Sequence, residues 1–264
     1  MSAPGLVSWI HHRGDVGLRA FSLGEGPGVL LLHGFSSSFR RNWHGTGWTK
    51  VLAAARRRAF GLDFRGHGGS GKSLSPEFYA PAELCADCAS LQDAVGEPCT
   101  DVVGFSMGAA IALQFAILYP DRVRSLVLGG IGDKILPSVP PPPEPAWIAE
   151  AMRHSDSAAD APPIARRFRL FAERGGNDLQ ALAAMMSGPG WPGRIDHPGP
   201  VTCPVLLVLA ESDEFMPSSA RLREHLPGAR VEVVPGTDHI GLSGDPRFLA
   251  LAADFLGPAV VHES

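Results

Sequence analysis

At 264 residues, 45% hydrophobic and 19% charged, the chain reads as a soluble globular protein long enough for one large α/β unit. A formal charge of −4 leaves no electrostatic footprint for nucleic acid, and the dense basic run Arg56-Arg57-Arg58 reads as the solvated end of a helix. No stretch approaches the ~20 uninterrupted apolar residues of a membrane span, and "MSAPGLVSWIHHRGD" lacks the apolar stretch of an export signal, so the expectation is a cytoplasmic protein with no membrane partner.

In chain order, "VSWIHH" and "LRAFSL", separated by a Gly/Asp turn, predict an antiparallel hairpin at a sheet edge. Short apolar runs ending in turn residues follow at 28–34, 59–64, 101–106, 125–130, 204–210 and 231–236, the pattern of parallel strands buried on both faces. Helical patterns alternate with them: "WTKVLAAARR", "PAELCADCASLQDAV", "AAIALQFAILY", "SSARLREHL" and "DPRFLALAADFL". Alternating β and α segments predict an α/β fold, a mostly parallel central sheet flanked by helices.

The alternation breaks between about Asp133 and Thr202. "LPSVPPPPEP" reads as a stiff extended link, and amphipathic helices are expected over Pro145–His154, Ile164–Arg174 and Leu179–Ser187, the last capped by Asn177 or Asp178. The expected organisation is a core of 1–132 and 203–264 with a helical cap insertion, 133–202, over the carboxyl ends of the strands, where open α/β sheets bind ligands.

The cysteines Cys85 and Cys88 form a C-x-x-C, but they share a helical stripe with Leu84, Leu91 and Val95, so burial is the expectation rather than redox or zinc chemistry. "RGHGGSGKS" matches a phosphate-binding loop letter for letter. That reading needs a helix opening at Lys72-Ser73, yet Pro76 and Pro81 follow, and proline is tolerated only near a helix start.

The sharpest chemical signal is Gly104-Phe105-Ser106-Met107-Gly108 between an apolar strand and an apolar helix. A serine thrown up on a sharp strand-to-helix turn sits at strained dihedrals, and small residues two before and two after it avoid collisions. Such a turn exposes Oγ and aims a helix N-terminus at a developing oxyanion. A serine hydroxyl also needs a base, and the base needs an acid to orient it.

With these residues the sequence resembles an α/β-hydrolase over essentially its whole length, the cap region most loosely. The resemblance implies a triad in the order Ser, acid, His: Ser106, then Asp213 in "LLVLAESDEFMP", then His239 in "VVPGTDHIG". Asp133, after the preceding core strand, stands where some members carry the acid instead. "LLLHGFSSS" resembles the family's oxyanion loop, which implies the backbone N–H groups of Phe35 and Met107 as donors. "LDFRGHGGS" resembles the family's D-x-R-G-H-G-x-S segment, carried by Asp63, Arg65, Gly66, His67, Gly68 and Ser70, which absorbs the phosphate-loop match.

No H-E-x-x-H or H-x-H is present, so no metal and no cofactor are expected. Trp147 and Phe171 from the cap, with Phe168 and Met186, are candidates for an apolar substrate pocket. The expected reaction is hydrolysis of a small to medium carboxylic ester through an acyl-enzyme, on a small-molecule substrate with an apolar portion. The resemblance also covers carbon–carbon bond hydrolysis, cofactor-free perhydrolysis and non-catalytic small-ligand binding on the same fold. An aspartate nucleophile would imply a dehalogenase or epoxide hydrolase; Ser106 argues against both.

Overall fold

The computed structural model describes residues 5–137, 143–154, 160–188, 194–195 and 199–257. The strands are β1 (Val7–Arg13), β2 (Val16–Leu23), β3 (Gly28–Leu32), β4 (Arg58–Leu62), β5 (Thr100–Phe105), β6 (Val123–Gly129), β7 (Val205–Ala210) and β8 (Arg230–Val234). The helices are α1 (Trp48–Ala54), α2 (Pro81–Val95), α3 (Met107–Leu118), α4 (Glu144–Arg153), α5 (Pro163–Arg174), α6 (Leu179–Met186), α7 (Ala220–His225), α8 (His239–Leu242) and α9 (Pro246–Leu256).

All these strands join one sheet in the order β1-β2-β4-β3-β5-β6-β7-β8. β1 and β2 form the expected antiparallel hairpin, β2 runs antiparallel to β4, and every later neighbour pair is parallel. The period of two along each strand divides the core. Leu30, Leu32, Val102, Leu126, Leu128 and Leu207 face one cluster, shared with Leu84 and Leu91 of α2 and Ile111 and Phe115 of α3. Val29, Leu31, Val103, Val127, Leu206 and Val208 face the other, shared with Trp48 and Leu52 of α1 and Phe248 of α9. Burial on both faces explains why the central strands read as unbroken apolar runs.

Cys85 and Cys88 lie buried in α2, and burial pushes both thiols above their ordinary range. The Lys72 ammonium folds back on its own loop, donating to the carbonyls of Gly68 at 2.9 Å and Ser70 at 3.0 Å. A single turn of 3₁₀ helix, Pro76–Tyr79, follows instead of a helix at Lys72-Ser73, so the phosphate-loop match is one of letters only.

α4, α5 and α6 lie between β6 and β7, within the segment expected as a cap. Asp178 caps α6, its side chain accepting from the N–H groups of Gln180 and Ala181. Ile148, Ala165, Leu182 and Met185 are buried and continuous with the first core cluster. Half of the proline-rich link, residues 138–142, lies outside the described residues. Among the described residues no helix is long and apolar enough to cross a membrane.

Candidate active site

The turn from β5 into α3 puts Ser106 at φ 53°, ψ −118°, a conformation a side chain disfavours. Its flanking glycines answer a measurable lack of room. A Cβ on Gly108 would come within 2.6 Å of the His33 carbonyl oxygen, and one on Gly104 within 2.6 Å of the Ala109 nitrogen. The strained turn is held by the Ser106 N–H donating to the Gly129 carbonyl at 2.8 Å, and α3 begins at the next residue.

Ser106 Oγ stands 2.8 Å from His239 Nε2, and His239 Nδ1 stands 2.8 Å from Asp213 Oδ2. His239 opens α8 in the loop after β8, and Asp213 lies in the loop after β7, so parallel neighbouring strands deliver both side chains to one end of the sheet. Both are almost fully buried. A carboxylate acceptor at Nδ1 places the ring proton there, leaving Nε2 to accept from the serine hydroxyl. Asp213 Oδ1 accepts from the N–H groups of Phe215 and Met216, at 3.0 and 2.7 Å, which fixes the carboxylate's orientation.

The other carboxylates in reach by sequence are engaged elsewhere. Asp133 Oδ1 accepts from the Leu222 N–H in the first turn of α7, and its Oδ2 takes the Ser218 hydroxyl. Asp238 caps α8 by accepting from Gly241 N–H and pairs with Arg167, away from the neighbouring imidazole. Glu211 accepts from the Gly236 N–H, and Glu214 pairs with Arg167.

A small cavity of about 30 Å³ opens beside Ser106. Its walls are largely aromatic, from Phe35, Phe105, Phe168 and Phe171, with His239 and Ile240 on one side and Ser37, Asn42 and Ser243 as polar points. Phe171, a candidate pocket residue, lines this cavity. Trp147, the other candidate, does not line it: it is 40% exposed on α4, whose buried residues include Ile148 and Ala151. Met186 is buried among the cap helices and likewise absent from the lining.

The family model described as the alpha/beta hydrolase family matches residues 29–253. This chain belongs to the alpha/beta hydrolase family. Over 91% of its length and 95% of the relative's, this hydrolase-family chain is 28% identical to a Bacillus subtilis protein named putative 2-succinyl-6-hydroxy-2,4-cyclohexadiene-1-carboxylate synthase. It is 38% identical to epoxide hydrolase B of Mycobacterium tuberculosis over 39% of its own length, and spans only 28% of that protein. A solved hydrolase structure from Pseudomonas aeruginosa superposes with a TM-score of 0.73 at 21% identity, over 96% of this chain and 98% of the other, a likeness of fold alone.

In this family member, the oxyanion-like loop rests on a buried polar layer. His33 Nε2 accepts from the Phe64 N–H at 2.9 Å, so its Nδ1 carries the proton and donates to the Gly34 carbonyl. His67 Nε2 accepts from the Ser36 N–H at 3.0 Å, and its Nδ1 donates to the Arg65 carbonyl. Burial pushes both imidazoles below their ordinary range, consistent with these neutral roles. Asp63 braces the same layer, accepting from the N–H groups of Phe39 and Gly69.

Asn42 and Ser243 border the cavity although no motif singled them out. Asn42 reaches Gly34, 8 residues earlier, because the chain makes a π-helical turn over Arg40–His44, and nothing in "RRNWH" announces that turn. Among the described residues, no group of three His, Cys, Asp or Glu side chains is placed to hold a metal ion.

Proposed function

We propose that this protein is a serine hydrolase that cleaves small to medium carboxylic esters through an acyl-enzyme. The observation that carries the reading is the relay from Ser106 Oγ through His239 to Asp213, two hydrogen bonds of 2.8 Å ending beneath an apolar cavity. Ser106 Oγ attacks the ester carbonyl carbon as its proton passes to His239 Nε2. The carbonyl oxygen takes the negative charge and accepts from the N–H groups of Phe35 and Met107. Among the described residues neither of these donates to a protein acceptor. Collapse expels the alcohol, which takes the proton from Nε2. A water, deprotonated by the same nitrogen, then attacks the acyl-serine carbonyl, and collapse releases the acid as Nε2 returns the proton to Ser106 Oγ. Asp213 holds the ring and stabilises its charged form throughout.

The name of the Bacillus relative supports a second reading, in which the product is a cyclic carboxylate. A carboxylate-bearing ring calls for a cation near the cavity; the described lining holds no Lys or Arg, and Arg41 lies 4.3 Å from the ring centroid of the lining residue Phe171. The largely aromatic lining supports the ester reading. For the epoxide reading, the resemblance read from sequence calls for an aspartate nucleophile where Ser106 stands.

The test is intact mass after a fluorophosphonate probe on the native chain and on Ser106→Ala, followed by a panel of 4-nitrophenyl esters of increasing acyl length. One adduct on the native protein, absent from the variant, with turnover greatest at short to medium chains, is the expected result. An unlabelled, folded native protein overturns the reading and leaves ligand binding without turnover.

A further inference from the structure

Three successive backbone N–H groups lie in the loop after β3, at Gly34, Phe35 and Ser36, the first two on residues that line the cavity. The first donates to Asn42 Oδ1 at 3.0 Å and the third to His67 Nε2 at 3.0 Å. The middle one, of Phe35, has no protein acceptor among the described residues. Side chains thus clamp the peptide groups on both sides of the donor that the reaction would use.

The clamp works against strain. Ser36 sits at φ 61°, which its Cβ disfavours, so an unrestrained loop would relax and carry the Phe35 N–H with it. His67 takes the Ser36 N–H from within the body of the protein, and its own Nδ1 is tied to the Arg65 carbonyl, which fixes the ring. Its face is further set by edge contacts with Phe35, at 5.7 Å between centroids, and with His33, at 5.0 Å. Asn42 reaches the Gly34 N–H from the π-helical turn and is itself buried. Its Nδ2 has no protein partner among the described residues, and its Oδ1 makes the bond to the Gly34 N–H.

We propose that Asn42 and His67 are positioning residues that hold the Phe35 N–H at the oxyanion, one on each side of it. Neither needs to touch the substrate. The proposal rests on the serine-hydrolase reading, in which Phe35 is an oxyanion donor.

The experiment compares the native protein with Asn42→Leu, His67→Leu and His67→Gln, with rates expressed per serine labelled by fluorophosphonate at completion, so that unfolded molecules do not count. Two readouts are taken: kcat and KM on 4-nitrophenyl butanoate, and inhibition by a trifluoromethyl ketone and by the matching trifluoromethyl alcohol. The ketone forms a serine hemiketal whose oxyanion needs the hole, whereas the alcohol only fills the cavity. Both Leu variants are expected to lose about 10²-fold in kcat and in ketone affinity, with KM and alcohol affinity within about threefold of native. His67→Gln, which returns an acceptor for the Ser36 N–H, is expected to recover most of both losses. Parallel loss of ketone and alcohol affinity would mean general damage to the cavity, and no loss of either would mean the clamp is dispensable; each overturns the proposal and leaves the hydrolase reading standing. A native protein inert to ester and fluorophosphonate overturns that reading, and this one with it.

Discussion

Arg41 and Phe171 are 130 residues apart in sequence and stacked in space: the guanidinium lies 4.3 Å from the ring centroid, and Nη1 donates to the Phe171 carbonyl at 3.1 Å. The contact joins the segment that follows the oxyanion-like loop to α5, the helix that lends Phe168 and Phe171 to the cavity wall. Asn177 adds a second tie, its Nδ2 donating to the Ser36 carbonyl at 2.9 Å.

Removing the Arg41 tie should loosen α5 locally. A stacked guanidinium and a charge-assisted hydrogen bond are together worth about 1–2 kcal/mol, so Arg41→Ala is expected to speed amide exchange in α5 by roughly 5–30-fold. Arg41→Lys keeps the charge but not the planar stack and should recover only part of the protection. Hydrogen exchange read by mass spectrometry decides it; unchanged α5 protection in Arg41→Ala would show that the stack does not hold the helix.

The acid of the relay can be identified by a paired substitution. Asp213→Asn is expected to lower kcat on a 4-nitrophenyl ester by about 10⁴ because the imidazole loses its orienting charge and tautomer control. Asp133→Asn should leave kcat within about twofold and cost about 1 kcal/mol of stability, since Asp133 serves the first turn of α7. A reversed pattern would hand the acid's role to Asp133.

The glycines flanking the elbow should tolerate no side chain. Gly108→Ala drives a methyl toward the Leu32 and His33 backbone carbonyls, atoms that cannot swing aside. Overpacking of this kind costs about 1–3 kcal/mol, equivalent to a fall in Tm of roughly 2–12 °C for a chain of this size. A melting curve identical to the native one would refute the steric account.

Acid should destabilise the fold before its carboxylates titrate. His33 and His67 are held below the ordinary histidine value of 6.5, chiefly by burial, with the two rings close to one another; Asp63 opposes the shift at His33, and Lys72 adds to it at His67. The unfolded chain takes up these protons near pH 6.5 while the native state does not. Their contribution is therefore complete above pH 6.5 and is lost as pH falls toward the lower folded values. Each histidine should tilt stability by up to about 1.4 kcal/mol per pH unit in that window. Urea midpoints at pH 7.5, 6.0 and 5.5 should fall in order, with a shallower decline in His67→Gln; a flat response across that range would contradict neutral buried imidazoles.

Much of this protein is local, and the local part was legible in its residues. Unbroken apolar runs marked strands covered on both faces, the Gly-x-Ser-x-Gly turn marked where β5 meets α3, and Asp178 marked the start of α6, because each depends on neighbours only a few positions away. Long-range choices were not legible from the residues alone, and Asp213 and His239 entered only through the family resemblance. Asp133, Asp213 and Asp238 are alike as residues; only the assembled sheet brings Asp213 to the His239 ring and turns the other two onto helix N-termini. The period of α4 gives it an apolar face without saying what that face meets, so Trp147 read as a pocket candidate and is 40% exposed outside the cavity lining. Asn42 carries no motif, and a π-helical turn alone carries it back to Gly34. Periodicity and turn chemistry determine elements, whereas contacts across 26 or 130 residues depend on strand order and on which surfaces the helices bury, and these exist only once the chain has folded.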